Sequence, residues 1–266
     1  MSSYVVTGAS RGIGLEFVKQ LSSNSENQVF AIVRNKATAT RLQDLSRNNV
    51  IMLESDVTDA EALNLAAAEV SKATINKLDY LINNAGSATA SGVTLDRYPS
   101  PEAVEKDLLD DFKNNAISVV HTINAFLPLL ENGSAKKVLT LSSGIGDLDL
   151  TLAGEGNIAL ASYAIAKAAL NMVVAKYAAL FKADGFVFLA ISPGLVDVSA
   201  TKESPPTAGA LEEMKMLSKG IPKVAPHFKG PITPEESVKM QLEVFNRWTV
   251  EETGAFVSHF GNKQWL

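Results

Sequence analysis

Residues 7–14 read Thr7-Gly8-Ala9-Ser10-Arg11-Gly12-Ile13-Gly14, and they join the apolar run Tyr4-Val5-Val6 to a segment in which Ile13, Phe17 and Leu21 recur every four residues. An apolar run, a glycine-rich turn and a helical period in that order predict strand, turn and helix. Glycines let the backbone turn tightly and approach a ligand, and the unpaired amides at the start of the helix favour an anion such as a pyrophosphate. The spacing is G-x-x-x-G-x-G rather than the G-x-G-x-x-G of the ordinary dinucleotide fingerprint. A glycine-rich turn without a ligand would look much the same; its place between strand and helix favours a nucleotide.

Outward from this stretch the same alternation continues. Further strands are expected near 28–33, 50–53, 78–82, 136–142, 186–191 and 254–258, after a first one at 3–7. Between them Leu63, Ala67 and Val70 keep a helical period, and 101–130 and 160–183 are long and apolar on one face. Strand and helix repeated in this way predict a doubly wound, Rossmann-type α/β fold, a single domain over 1–266 with about seven parallel strands and a ligand site at their carboxyl ends. The stretch 195–234 breaks the rhythm with Pro205-Pro206, Pro222, Pro226, Pro231 and Pro234 around a short Leu211-Met214-Leu217 pattern. A connection of that length in a compact domain is commonly a binding loop, and a substrate lid is expected there.

Composition narrows the function classes. The 266 residues are 46% hydrophobic, enough for one sizeable core, with a net charge of -5 and scattered Lys and Arg, so a nucleic acid or an acidic membrane surface is a poor partner. Cysteine is absent, which removes thiolate nucleophiles, disulfides and cysteine-ligated zinc, and His121, His227 and His259 are far apart, so no metal site is expected. No basic segment with a long apolar stretch precedes the first strand; a soluble, cytoplasmic protein without a signal peptide or membrane span is the expectation.

Several residues after strands could carry chemistry, and each has a bland alternative. After the second strand comes Arg34-Asn35-Lys36, with no carboxylate to accept a ribose 2'-hydroxyl. A guanidinium there, with Arg11, could pair with a 2'-phosphate, or Arg34 could simply solvate a loop. Ser55-Asp56-Val57 and Asn83-Asn84-Ala85-Gly86 follow the third and fourth strands and are also ordinary turn formers. Tyr163 and Lys167 stand one helical turn apart on one face, where an ammonium would favour the phenolate; such pairs also arise as amphipathic surface patches. Ser142-Ser143 ends the fifth strand and could donate to a carbonyl, and Asn115 lies within an expected helix, where asparagine either has a task or faces water.

Taken together, TGASRGIG, Asp56-Val57, NNAG at 83–86, Asn115, Ser143, Tyr163-Ala164-Ile165-Ala166-Lys167 and Pro193-Gly194 follow the order and approximate spacing of the short-chain dehydrogenase/reductase family, over about 190 residues. The chain resembles that family. With Arg34 and the ending from Gly254 to Trp265, it is most similar to its NADPH carbonyl reductases, the sniffer and C-factor-like group. The resemblance implies that Tyr163 protonates a carbonyl oxygen as hydride arrives from NADP(H). Lys167 would hold the nicotinamide ribose and lower the tyrosine pKa, Ser143 would orient the substrate oxygen, with Ser142 as fallback, and Asn115 would hold a relay water. Gly8, Ser10, Arg11, Gly12, Ile13, Gly14 and Arg34 map to the pyrophosphate and 2'-phosphate. Asp56 and Val57 map to adenine, Asn84, Ala85 and Gly86 to the adenosine side, and Pro193, Gly194 and Val196 to the nicotinamide amide.

The chain departs from the pattern twice. Ser143 and Tyr163 are 20 apart where about a dozen residues are usual, so 147–160 is expected to add a loop made apolar by Leu148, Leu150, Leu152 and Ile158. Val198 stands where P-G-x-x-x-T carries a hydroxyl, with Ser199 as the substitute. The reading that follows is an NADPH-dependent reductase of a ketone, aldehyde or quinone carbonyl, its lid lined by Leu195, Met214, Leu217, Ile221 and Phe228. Alternatives are a ketoreductase of a polyketide or other secondary-metabolite pathway, a non-catalytic NADP(H)-binding sensor or signalling protein, and an NAD-linked alcohol oxidation. The helices at 101–130 and 160–183 sit where the family often packs a homodimer or homotetramer.

Overall fold

The strands are dictated by runs such as Val29-Phe30-Ala31-Ile32-Val33, in which both side-chain faces are apolar, so each strand must be covered on both sides. In the computed structural model, which describes residues 2–88, 94–153, 160–201, 221 and 225–266, seven such strands form one parallel sheet. They are β1 (Ser2–Thr7), β2 (Asn27–Val33), β3 (Val50–Glu54), β4 (Tyr80–Asn83), β5 (Lys137–Leu141), β6 (Val187–Ser192) and β7 (Phe256–Ser258). Each lies within two residues of the bounds expected from the sequence. Their order is β3-β2-β1-β4-β5-β6-β7, so the winding reverses between β1 and β4, and the crevice of a doubly wound sheet opens there.

The helices are α1 (Gly12–Leu21), the single turn α2 (Thr40–Gln43), α3 (Ala60–Thr74), α4 (Pro101–Phe112), α5 (Ser118–Glu131), α6 (Leu148–Ala153), α7 (Ala161–Phe181) and α8 (Pro234–Arg247). Strand alternation divides the core into two layers. Val5, Phe30, Leu81, Val138 and Phe188 point to one face, where Leu63 of α3, Ile123 of α5 and Val174 of α7 cover them. Val6, Ala31, Ile82, Leu139 and Leu189 point to the other, beneath Phe17 of α1 and Val238 and Phe245 of α8.

The stretch 101–130 is helical throughout, as expected, with a π-turn at Lys113–Ile117 between α4 and α5. One expectation is corrected here. Residues 147–160 are not simply a loop, because Leu148–Ala153 forms α6, with Leu148 and Leu152 exposed and Leu150 turned inward; Ile158 lies outside the described residues. Helix α7 with the turn after it, Ala161–Asp184, is long and apolar enough by length and composition to cross a membrane, with a mean hydropathy of 1.4. Its Leu170, Val174 and Ala178 are buried against the sheet, while Ile165, Met172 and Leu180 on the same helix are exposed.

The excursion after β6 is pinned at its base. Val196 bridges Ile232 in parallel, the Asp197 amide donates to the Ile232 carbonyl (2.9 Å), and the Ile232 amide donates to that of Leu195 (2.9 Å). The expected lid residues Met214 and Leu217 lie outside the described residues.

Candidate active site

The crevice floor is the turn from β1 to α1. Helices α3, α4 and α8 are capped at their N-termini by the side chains of Asp59, Ser100 and Thr233, whereas α1 begins after Arg11 with no side-chain cap. The Gly12 amide is taken by Thr201 Oγ1; the other first-turn amides suit an anion. The turn is held from below by Asn84, whose Nδ2 donates to the carbonyls of Thr7 (2.9 Å) and Gly8 (3.2 Å), while Thr7 Oγ1 accepts from the amides of Asn84 and Ala85 (both 3.0 Å). A Cβ on Gly14 would collide with the Gly8 carbonyl oxygen and the Asn84 amide nitrogen, so only glycine fits there.

Arg11, just before α1, and Arg34, just after β2, are exposed. Burial alone would raise the Asp56 carboxyl, but the Thr58 amide and hydroxyl bonded to it, with Arg34 and Lys113 nearby, hold it below its ordinary range. Val57 packs against the core. The sequence around Arg34 shows no carboxylate, yet folding brings one: Glu54 Oε2 accepts from the Lys36 amide at 2.8 Å.

The other wall is assembled from distant segments. A Cβ built on Gly86 would lie 2.8 Å from Asn115 Oδ1 and 3.6 Å from Lys167 Nζ, so the NNAG turn, the π-turn and α7 meet at one point. Asn115 is buried; its Nδ2 donates to the carbonyls of Ser87 (2.7 Å) and Asp111 (2.9 Å), and its Oδ1 has no hydrogen-bond partner among the described residues. Lys167, also buried, donates to the Leu141 carbonyl at 2.8 Å and lies 5.4 Å from the centre of the Tyr163 ring. Burial pulls its ammonium down to about 8, against an opposing effect of the Asp111 carboxylate. The Tyr163 phenol is pushed up, by burial first and by the Asp111 charge second. This direction is opposite to that expected from an adjacent ammonium: with Lys167 turned to the Leu141 carbonyl, desolvation dominates.

Of the two serines, Ser142 donates to Asn171 Oδ1 (2.6 Å), whereas the Ser143 hydroxyl has no such partner among the described residues. Ser143 precedes the 3-10 turn Gly144–Gly146, which rests on α7 at Lys167 and is tied to β6 by the Gly144 amide bonding Ser192 Oγ (3.0 Å). Pro193 is fixed by Ser237 of α8, which donates to its carbonyl (2.7 Å). At Gly194, with φ +80°, a Cβ would lie 2.7 Å from the His259 ring, which is buried and whose pKa burial lowers to about 4. Ser199 is exposed; the hydroxyl that reaches the glycine turn is Thr201 Oγ1, which accepts from the Gly12 amide at 3.0 Å.

Asp111, Ser162, Thr201 and His259 were not singled out in the sequence. No motif marks them, and Asp111 is hidden among the acids of α4. Beside Gly144 the chain end forms a cleft of about 240 Å³, lined by Leu150, His227, Lys263 and Trp265 among others.

Residues 3–209 match the family described as short chain dehydrogenase. Over all of both chains, the protein is 45% identical to the short-chain dehydrogenase/reductase AacuF of Aspergillus aculeatus and 41% identical to the short chain dehydrogenase virK of Hypocrea virens. Among solved structures, an NADPH-bound carbonyl reductase from chicken fatty liver superposes with a TM-score of 0.77 at 28% identity, covering 98% of each chain. The carbonyl reductase Sniffer of Drosophila melanogaster does so with 0.78 at 23%, also covering 98% of each. The chain therefore belongs to the short-chain dehydrogenase/reductase family. It is an oxidoreductase of a class that works with a nicotinamide cofactor.

Proposed function

We propose that the protein is an NADPH-dependent carbonyl reductase acting on a ketone, aldehyde or quinone. The observation that carries this reading is the convergence of Gly86, Asn115 and Lys167 at one point, with Tyr163 one turn before Lys167 on α7. The uncapped start of α1 and the glycine turn fit a dinucleotide pyrophosphate. Gly8, Ser10, Arg11, Gly12, Ile13 and Gly14 would hold it, Arg34 and Arg11 the 2'-phosphate, Asp56 and Val57 the adenine, and Asn84, Ala85 and Gly86 the adenosine side. Pro193, Gly194 and Val196 would receive the nicotinamide amide, and Tyr163 and Lys167 its ribose.

Bound NADPH supplies the hydride. The protein's part is the proton and the placement of the carbonyl. A phenol held protonated by burial is the form a general acid must have before it gives its proton to the developing alkoxide. The unpartnered Ser143 hydroxyl is available to orient the substrate oxygen. Asn115, with its buried Oδ1 lacking a donor among the described residues, has room in its bonding for a relay water behind Lys167. Leu150 and Trp265, beside Gly144, support an apolar, bulky substrate.

The test is oxidation of NADPH and of NADH against a broad panel of ketones, aldehydes and quinones, with Tyr163→Phe alongside. Turnover is expected with NADPH in preference to NADH, and the variant should lose about 10²-fold to 10⁴-fold of it while keeping cofactor affinity. Folded, NADPH-binding protein inert across the panel would overturn the reductase reading; parity between the coenzymes would overturn the NADPH preference.

A further inference from the structure

The active-site wall contains a charged group for which the reaction as described has no use. Asp111, in the last turn of α4, is fully buried. Ser162, itself buried and the residue immediately before Tyr163, donates its hydroxyl to Asp111 Oδ2 at 2.6 Å. The main-chain carbonyl of Asp111 accepts from Asn115 Nδ2 at 2.9 Å. Asp111 thus ties the start of the helix carrying Tyr163 and Lys167 to the turn carrying Asn115. A buried carboxylate is costly unless bonded or faced by opposite charge, and the Ser162 hydroxyl supplies one of its bonds.

The Asp111 charge acts on both Tyr163 and Lys167, raising the affinity of each for its proton. Among the described residues, several other ionised groups on the neighbouring elements are engaged elsewhere. Lys113 on the π-turn acts on Asp56, Lys137 on β5 donates to the carbonyls of Phe245, Asn246 and Trp248, and Asp147 beyond Gly146 is paired with Lys263.

We propose that Asp111 is a positioning residue of this site, whose buried carboxylate, anchored by Ser162, sets the start of α7 and fixes a negative charge at the helix turn that carries Tyr163 and Lys167. This rests on the general-acid role given to Tyr163 above. In reduction the phenol must enter each cycle protonated and the ammonium must stay charged; a fixed anion favours both states and extends the reductive range toward alkaline pH. No new group is transferred, and the proton still passes from the Tyr163 oxygen to the alkoxide.

The experiment pairs kinetics with a titration that needs no substrate. In Asp111→Asn the alkaline limb of kcat/KM for carbonyl reduction should move toward acid by about one pH unit or more. The side-chain carbon resonance of Lys167, assigned by its loss in Lys167→Met, should titrate below the wild-type position of about 8 by a similar interval. Ser162→Ala keeps the carboxylate and should leave the limb near its wild-type position while lowering kcat. If Asp111→Asn titrates with the wild type and loses kcat equally at every pH, Asp111 is only structural and the proposal is overturned. Should that variant fail to fold, Asp111→Glu decides: a retained carboxylate should keep the Lys167 resonance titrating near its wild-type position, and a titration displaced toward acid overturns the proposal. A protein inert to carbonyls in which the Lys167 resonance still shifts in Asp111→Asn defeats the reductase reading alone.

Discussion

The crevice has two sides built in different ways. On the β1–α1 side the ligand surface is mostly main chain: open amides, a turn in which Gly14 leaves no room for a methyl group, and Asn84 and Thr7 bonding the turn from behind. On the α4–α7 side it is side chains: Asp111, Asn115, Ser162 and Lys167, all buried, with the half-buried Tyr163 beside Lys167, so that an acid and an ammonium lie within the protein. Surfaces made of main chain tolerate no added volume. Surfaces made of buried charge sacrifice stability for reactivity, because each ionised group in them would be better solvated in water.

The sharpest way to break this contrast is Lys167→Met. Turnover should fall by about 10²-fold to 10⁴-fold, and the melting temperature should fall with it, because the buried Asp111 carboxylate loses a charge that faces it. An unchanged melting temperature would show that the lysine ammonium does not offset the Asp111 charge. On the other side, Gly14→Ala should cost about 1–3 kcal/mol of stability through overpacking, read by denaturant titration, and should weaken NADPH binding in proportion as the turn is displaced. If Gly14→Ala folds with unchanged stability, the main-chain description of that surface is wrong.

The smallest effect concerns His259, where the two sides meet behind Gly194. The unfolded chain takes a proton at the ordinary histidine value of about 6.5, the folded one only near 4. Stability is therefore fully present above 6.5 and is lost as pH falls from 6.5 toward 4. After allowance for solvent screening the loss is roughly 1–2 kcal/mol. His259→Phe keeps a ring against Gly194 and should flatten that part of the stability-versus-pH curve; an unchanged slope would assign the acid sensitivity to other groups.

The same contrast explains what the sequence could and could not tell. Main-chain surfaces need glycines and turn formers at fixed spacing, so TGASRGIG and NNAG are contiguous and legible, and continuous apolar runs such as Val29–Val33 announce a strand covered on both faces. The candidate residues Asn115, Ser143, Tyr163 and Lys167 stand out only by their order along the chain, and the fold brings Asn115 and Lys167 around Gly86. Asp111 and Ser162 carry no pattern: their meaning lies in a bond across 51 positions. The direction of the Tyr163 shift was misread for the same reason, because neighbours on one helix are visible in a sequence and desolvation is not. Thr201 was missed and Ser199 chosen because spacing counts residues, while the approach to Gly12 depends on how the chain folds after Asp197.

The π-turn at Lys113–Ile117 has an evolutionary reading. A helix advances about 100° per residue, so α4, whose Asp111 must face Ser162, and α5, whose Ile123 and Phe126 must face the sheet, could not both satisfy their neighbours in one unbroken ladder. Such wide turns place one extra residue in a helix. Deleting a single residue there would re-aim everything on one side of the deletion, so this short segment should resist changes in length far more than changes in composition.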